Sequence, residues 1–252
     1  MVGPINKEQS RHEAYMYRLL VEILDNKYLV ANSFFKGGTC ARMLGYLDRF
    51  SVDLDFDIKE NIDKKKFKEI LYSIFKNLDM EIKDESKKAL QFFLKYPAPS
   101  EKRNTVKIEF LDKIFEANKY ESKYLSPIER TAMCQTIETM FAHKLIALVD
   151  RYEQGGSIAG RDIYDIHYFF LQGYDYNSQV IKERRGVSAL EYFKKLREFI
   201  DNHITRKILE EDLNVLLEYK KLKQINKYLK KETLNFIDIE IKRLSVGLTK
   251  RV

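Results

Sequence analysis

Between Val52 and Ile58 the chain alternates strictly, with Val52, Leu54, Phe56 and Ile58 apolar and Asp53, Asp55 and Asp57 acidic. A helix would scatter this pattern around its circumference. In a strand, successive side chains leave on opposite faces. The segment is therefore read as a strand with one face for a core and one face carrying three carboxylates. Upstream, an apolar, β-favouring stretch from Tyr28 to Phe35, interrupted by Asn32-Ser33, stops at Lys36-Gly37-Gly38. Adjacent glycines mark a sharp break, after which Thr39 to Leu47 reads as a short helix and Asp48-Arg49-Phe50-Ser51 as a turn. Any fold for this chain must accommodate a glycine turn and an acid-bearing strand close together in sequence.

The surrounding pattern is mixed. Residues 7–26 and 62–78 have the 3.6-residue periodicity of amphipathic helices. Leu90 to Lys95 and Thr105 to Leu111 read as two strands joined by a polar loop at residues 96–104; Val106, Ile108 and Phe110 alternate with Lys107 and Glu109. Residues 128–152 read as one long helix with the apolar stripe Met133, Ile137, Met140, Phe141, Leu145 and Leu148. A glycine-containing loop from Glu153 to Gly160 precedes a further helix near Arg161, and from about residue 187 onward the pattern is entirely helical. The fold class expected is α+β: a mixed sheet flanked by helices over residues 1–125, followed by a helical region over residues 126–252.

The chain has 252 residues and a net charge of +7. A basic surface attracts phosphate polyanions, although the lysines are scattered along the sequence. Cys40 and Cys134 are far apart and form no metal-ligand spacing, which fits a reducing compartment. The N-terminal segment has no apolar leader core, and no apolar run reaches the ~20 residues a membrane span needs. A soluble, cytoplasmic protein without a membrane partner is expected.

Several residues carry chemistry in this frame. Glycines let backbone N–H groups approach a phosphate, and Thr39 is placed either to cap the following helix or to bond a phosphate oxygen. Asp53 and Asp55 leave the same face of one strand, and two such carboxylates repel unless a cation lies between them. Mg²⁺ is held by one or two carboxylates together with substrate phosphates. Taken alone, either feature reads as an ordinary turn or a solvent-facing acidic edge; Asp57 fits that edge. Glu109, on the second strand, is a candidate third carboxylate, as metal ligand or as general base, or else the partner of Lys107. Lys144 lies on or beside the apolar face of its helix, where it either snorkels outward or meets a triphosphate. Asp162, in the first turn of its helix, suits that helix end electrostatically. His143 is read as structural, since no second ligand stands at metal spacing.

Together these residues resemble a known family. Phe35-Lys36-Gly37-Gly38-Thr39 followed by Arg49-Phe50-Ser51-Val52-Asp53-Leu54-Asp55-Phe56 is similar to the AbiEii/AbiGii-type nucleotidyltransferase toxins, to which the MenT toxins are related. Lys144-Leu145-Ile146-Ala147-Leu148 with Arg151, then Arg161-Asp162-Ile163-Tyr164-Asp165-Ile166, matches the later signature. The resemblance spans roughly residues 30–170. It implies a polymerase-β-like nucleotidyltransferase core, a nucleoside triphosphate substrate, Mg²⁺, and toxicity within a toxin–antitoxin or phage-defence system, with a cognate antitoxin. It further implies an RNA acceptor, tRNA foremost; the alternatives are a small-molecule or protein acceptor, or a non-catalytic nucleic-acid-binding module. Carried onto this chain, Gly37, Gly38 and Thr39, with Lys36, Arg49 and Ser51 nearby, hold the nucleotide. Asp53 and Asp55 bind metal, with Glu109 in the third place. Lys144 neutralises the triphosphate, and Asp162, with Asp165 in reserve, orients it or the acceptor.

Overall fold

The computed structural model describes residues 7–99, 104–214 and 216–249. Residues 100–103 of the loop expected at 96–104, and residues 1–6 of the segment read for a leader, lie outside the described residues. The chain forms two compact units, one of residues 1–114 and 119–136, the other of residues 115–118 and 137–252.

The first unit is built on a seven-stranded mixed sheet. Its strands are β1 (Ser33–Lys36), β2 (Asp53–Ile58), β3 (Glu81–Glu85), β4 (Leu90–Lys95), β5 (Thr105–Leu111), β6 (Tyr120–Leu125) and β7 (Arg130–Gln135), in the spatial order β3-β4-β5-β2-β1-β7-β6. The acid-bearing strand is therefore central. β2 pairs antiparallel with β1 and parallel with β5. The helices are α1 (Lys7–Asp25), α2 (Lys27–Asn32), α3 (Gly37–Met43) and α4 (Lys64–Asn77). The apolar face of β2 gives Leu54, Phe56 and Ile58 to a core shared with Leu19, Leu20 and Ile23 of α1 and Phe67, Leu71 and Phe75 of α4, all almost wholly buried. Phe56 stacks on Phe110 of β5 with ring centroids 4.9 Å apart. Burying each such side chain stabilises the fold by about 1.5–3 kcal/mol.

Two expectations are corrected. The stretch from Tyr28 begins as helix α2, because the Asn26 side chain accepts from the backbone N–H groups of Tyr28 and Leu29; such a cap is worth about 1 kcal/mol and outweighs β propensity over one short turn. Residues 128–152 are not one helix. Arg130–Gln135 is strand β7, and the helix starts only at Ile137. In β7, Ala132 and Cys134 are buried while Met133 is exposed, a period of two that the stripe from Met133 onward conceals.

The second unit is helical: α5 (Ile137–Gly155), α6 (Gly160–Leu171), α7 (Ser178–Arg185), α8 (Ala189–His203), α9 (Arg206–Leu213), α10 (Tyr219–Ile225) and α11 (Leu229–Thr249). Its core draws on Phe141, Leu145 and Leu148 of α5, Phe169 of α6 and Phe193 of α8. A capping box, in which Ser188 and Glu191 exchange hydrogen bonds with each other's backbone, sets the start of α8. Among the described residues no helix is long and apolar enough to cross a membrane.

Candidate active site

The turn comes first. Lys36, the last residue of β1, lies opposite Asp55 in the antiparallel register, so the chain enters Gly37 beside that acid. Gly37 has φ +79°, and a Cβ there would sit 2.4 Å from Oδ2 of Asp55. Glycine meets both demands at once, the left-handed backbone and the close carboxylate. A Cβ on Gly38 would meet Ser51 Oγ at 2.9 Å and an Arg49 guanidinium nitrogen at 3.2 Å. The Thr39 hydroxyl donates to the Asp53 carbonyl at 2.5 Å and lies 2.9 Å from Ser51 Oγ. Thr39, Arg49 and Ser51 are all buried, and Arg49 donates to the Phe50 carbonyl at 2.9 Å. These bonds fasten the glycine turn to the start of β2. Thr39 does not cap α3; the cap position is Lys36, which makes no side-chain capping bond.

Beside the turn runs the acid face. The parallel register sets Asp53 opposite Lys107 and Asp55 opposite Glu109. Glu109 accepts from Gln91 Nε2 at 2.6 Å and from Lys107 Nζ at 2.9 Å, so it is the partner of Lys107 that the sequence allowed. Burial pushes the Asp55 carboxyl up to about 6, Asp53 and Glu109 add to the rise, and Lys107 and Lys36 oppose it. Asp57 is not at a solvent-facing edge. It is 1% exposed and accepts from Lys36 Nζ at 2.5 Å, Tyr120 Oη at 2.7 Å and Gln135 Nε2 at 2.8 Å.

Four carboxylates (Asp53, Asp55, Asp57 and Glu109) thus meet two lysines (Lys36 and Lys107), a formal balance of −4 + 2 = −2. The excess is concentrated where burial and a neighbouring acid already disfavour the charge of Asp55. Oxygen donors with surplus negative charge fit a hard divalent cation. Among the described residues, no group of three or more His, Cys, Asp or Glu side chains is arranged to hold a metal.

In the helical unit, Lys144 Nζ lies 2.8 Å from Asp165 Oδ2 and 3.3 Å from Asp162 Oδ1, and Arg151 Nε lies 3.3 Å from Asp162 Oδ2. Both aspartates are wholly buried, while the Lys144 side chain is 20% exposed. Asp162 spends its oxygens on these cations, and no side chain caps α6. His143 has a structural setting, its ring nitrogens 2.7 Å from Asn118 Oδ1 and 2.7 Å from Arg184.

The sequence-family model described as "Nucleotidyl transferase AbiEii toxin, Type IV TA system" matches residues 16–228. The chain belongs to this AbiEii family. No curated protein matched it. Solved structures of similar fold include JHP933 from Helicobacter pylori, at 21% identity over 98% of this chain and 99% of that one, with a TM-score of 0.59. A putative nucleotidyltransferase from H. pylori shows 22% identity over 96% and 98%, with a TM-score of 0.60. MenT4, a nucleotidyltransferase toxin from Mycobacterium tuberculosis, shows 17% identity over 92% and 84%, with a TM-score of 0.52.

Within this AbiEii chain, Lys36, Gly37, Gly38, Thr39, Arg49, Ser51, Asp53, Asp55 and Glu109 lie together in the sheet unit, and Lys144, Asp162 and Asp165 lie together in the helical unit. Sequence reasoning missed the roles of Asp57, Tyr120 and Gln135. Asp57 shares the acid face by parity alone, but Tyr120 and Gln135 become its neighbours only through the pairing of β6 with β7 and of β7 with β1.

Proposed function

We propose that this AbiEii-family chain transfers a nucleotidyl group from a nucleoside triphosphate to a hydroxyl of an RNA acceptor, tRNA foremost. The acceptor hydroxyl oxygen forms a bond to the α-phosphorus and gives up its proton to solvent, the bond from that phosphorus to the bridging oxygen breaks, and pyrophosphate leaves. The observation that carries the reading is the placement of Asp55 directly against Gly37. With the Thr39 hydroxyl bonded to the Asp53 carbonyl, the backbone N–H groups of the turn, with Lys36 and Arg49 beside it, are the donors we assign to phosphate oxygens. Asp53 and Asp55 are the residues to hold Mg²⁺, which when bound supplies stabilisation of charge developing on the phosphoryl oxygens. The protein's own contribution is positioning and fixed electrostatics. From the resemblance, we extend the proposal to Lys144 and Asp162 as residues needed for turnover, and to a cognate antitoxin as a partner.

The basic charge balance supports a polyanionic acceptor. One cleft of about 190 Å³ in the sheet unit is lined by Lys64, Lys68, Lys87 and Lys88 together with Asp112, Lys64 pairing with Asp112 and Lys68 with Glu85.

The test is to incubate the protein with tRNA, Mg²⁺ and each α-labelled nucleoside triphosphate in turn. Wild type is expected to label the RNA, and Asp53→Ala to do so about 10²–10³-fold more slowly. Equal and negligible labelling by both proteins, with every acceptor and nucleotide, defeats the proposal.

A further inference from the structure

Asp57 is the acid of β2 that the metal pair leaves unused, and it is the most enclosed of the three at 1% exposure. Three donors from three other strands converge on it: Lys36 of β1 on one oxygen, Tyr120 of β6 and Gln135 of β7 on the other. A buried carboxylate is tolerated when its charge is paired and its remaining lone pairs are filled. Asp57 has this arrangement, and its oxygens are committed within the protein. The consequence falls on the other end of the ion pair. A lysine ammonium on its four-carbon stem samples many rotamers in water. Here it is pinned at the last residue of β1, adjoining Gly37 and opposite Asp55 in register. The Tyr120 ring is held in turn by Phe34, stacked at 4.3 Å and 26°, which keeps its hydroxyl aimed at Asp57.

We infer that Asp57 is a positioning residue which, with Tyr120 and Gln135, holds the Lys36 ammonium as a fixed cation for the triphosphate of a nucleotide seated on the Gly37-Gly38 turn. This rests on the reading above that the turn seats a nucleoside triphosphate. A held charge binds more tightly than a mobile one, because its ordering is complete before the ligand arrives. Asp57 therefore acts through Lys36, and its effect belongs in nucleotide affinity more than in the rate of the bound complex.

The experiment measures, by calorimetry in Mg²⁺, the binding of α,β-methylene analogues of the four nucleoside triphosphates to full-length wild type, D57N, Y120F, K36M and the double variant D57N/K36M, with thermal melts to establish folding. K36M and D57N are each expected to weaken binding about tenfold, and Y120F about three- to fivefold, from loss of charge-assisted contacts. In the K36M background, D57N is expected to add less than twofold, the signature of a pair acting as a unit. Should D57N fail to fold, Y120F alone and in the K36M background carries the same test. Effects that multiply in the double variant, unchanged affinity in D57N and Y120F, or no analogue binding to wild type each overturn the inference. Coupled binding without label transfer to any acceptor retains it and removes the transfer reading; label transfer with multiplying effects does the reverse.

Discussion

Each unit carries a cluster of enclosed charge, and the two are built on opposite arithmetic. In the helical unit, Lys144 and Arg151 meet Asp162 and Asp165, two cations for two anions, with pairings of 2.8–3.3 Å. On the acid face of the sheet, four carboxylates meet two lysines, and the ionisation of Asp55 is disfavoured by its surroundings. The cations and anions named in the first cluster balance one another. The second reaches neutrality only by taking up protons or a cation. Burial is common to both, so burial alone does not distinguish them; residual charge does. The two clusters should therefore respond in opposite senses when a charge is removed.

The largest effect is expected in the balanced cluster. Lys144→Met takes from buried Asp165 a partner at 2.8 Å and from Asp162 one of two cations, and breaking a buried pair costs about 3–5 kcal/mol. Urea denaturation measures it, and Asp165→Asn in the same background should recover part of the loss. A cost below about 1 kcal/mol would mean that the cluster behaves as a surface pair, and the contrast between the units would fail.

Next is the glycine turn. Gly37→Ala must place a methyl group in a left-handed residue, at a strain of about 1–3 kcal/mol, and must also displace Asp55. Gly45 is a matched control, since it has φ +76° with nothing within 4 Å of the added Cβ. Both variants should lose stability in thermal melts from the shared backbone strain, Gly37→Ala more than Gly45→Ala because it also displaces Asp55. Only Gly37→Ala should lose label transfer beyond that, by about 10²-fold, the usual effect of misplacing a catalytic group by about 1 Å. Equal activity of the two variants would separate Asp55 from the turn in function.

The third effect concerns pH. The Asp55 carboxyl titrates near 3.8 in its ordinary state and is pushed up to about 6 in the fold. The folded protein thus binds its proton more tightly than the unfolded chain does. Its contribution to stability is fully present below pH about 4 and is lost as pH rises through 6. At about 1.4 kcal/mol per unit, reduced for partial solvent access, the loss is on the order of 2 kcal/mol. With chelator present, wild type should lose stability between pH 4 and 6 relative to Asp55→Asn. Parallel curves for the two proteins would show that Asp55 is not strained by its neighbours.

How much of this was legible beforehand follows from what each feature depends on. The β2 strand, the glycine turn and the strands β4 and β5 were readable because parity and glycine punctuation are local. So was the acid pair, since side chains two apart on a strand share a face whatever the sheet order. Strands β3, β6 and β7 were not. β3 is exposed at all but one of its positions, Glu81–Glu85, so it has no apolar period to read. β7 runs almost directly into α5, and its alternation merges with the helical stripe. The cradle around Asp57 was out of reach for that reason: Tyr120 and Gln135 approach it through non-local pairing. Asp162 shows the same limit, because its place in the first turn of α6 was visible whereas its contacts with Lys144 and Arg151 depend on how α5 and α6 pack.

The smallest expected effect is the most direct measure of the charge difference between the clusters. A ligand that binds only the folded state stabilises it by RT ln(1 + [L]/Kd), about 1.4 kcal/mol when Mg²⁺ is present at ten times its Kd. If the surplus charge of the acid face is what a cation answers, the Mg²⁺ increment in wild type should shrink in Asp53→Asn and in Asp55→Asn, because each removes a candidate oxygen ligand along with half of the formal −2. It should persist in Asp162→Asn, although that substitution weakens the protein more, because the helical cluster holds no excess charge for Mg²⁺ to neutralise. Thermal melts with and without Mg²⁺ at constant ionic strength give all four increments. An increment that survives in both sheet variants, or that vanishes in Asp162→Asn, would place the cation elsewhere and leave the acid face balanced by protons alone.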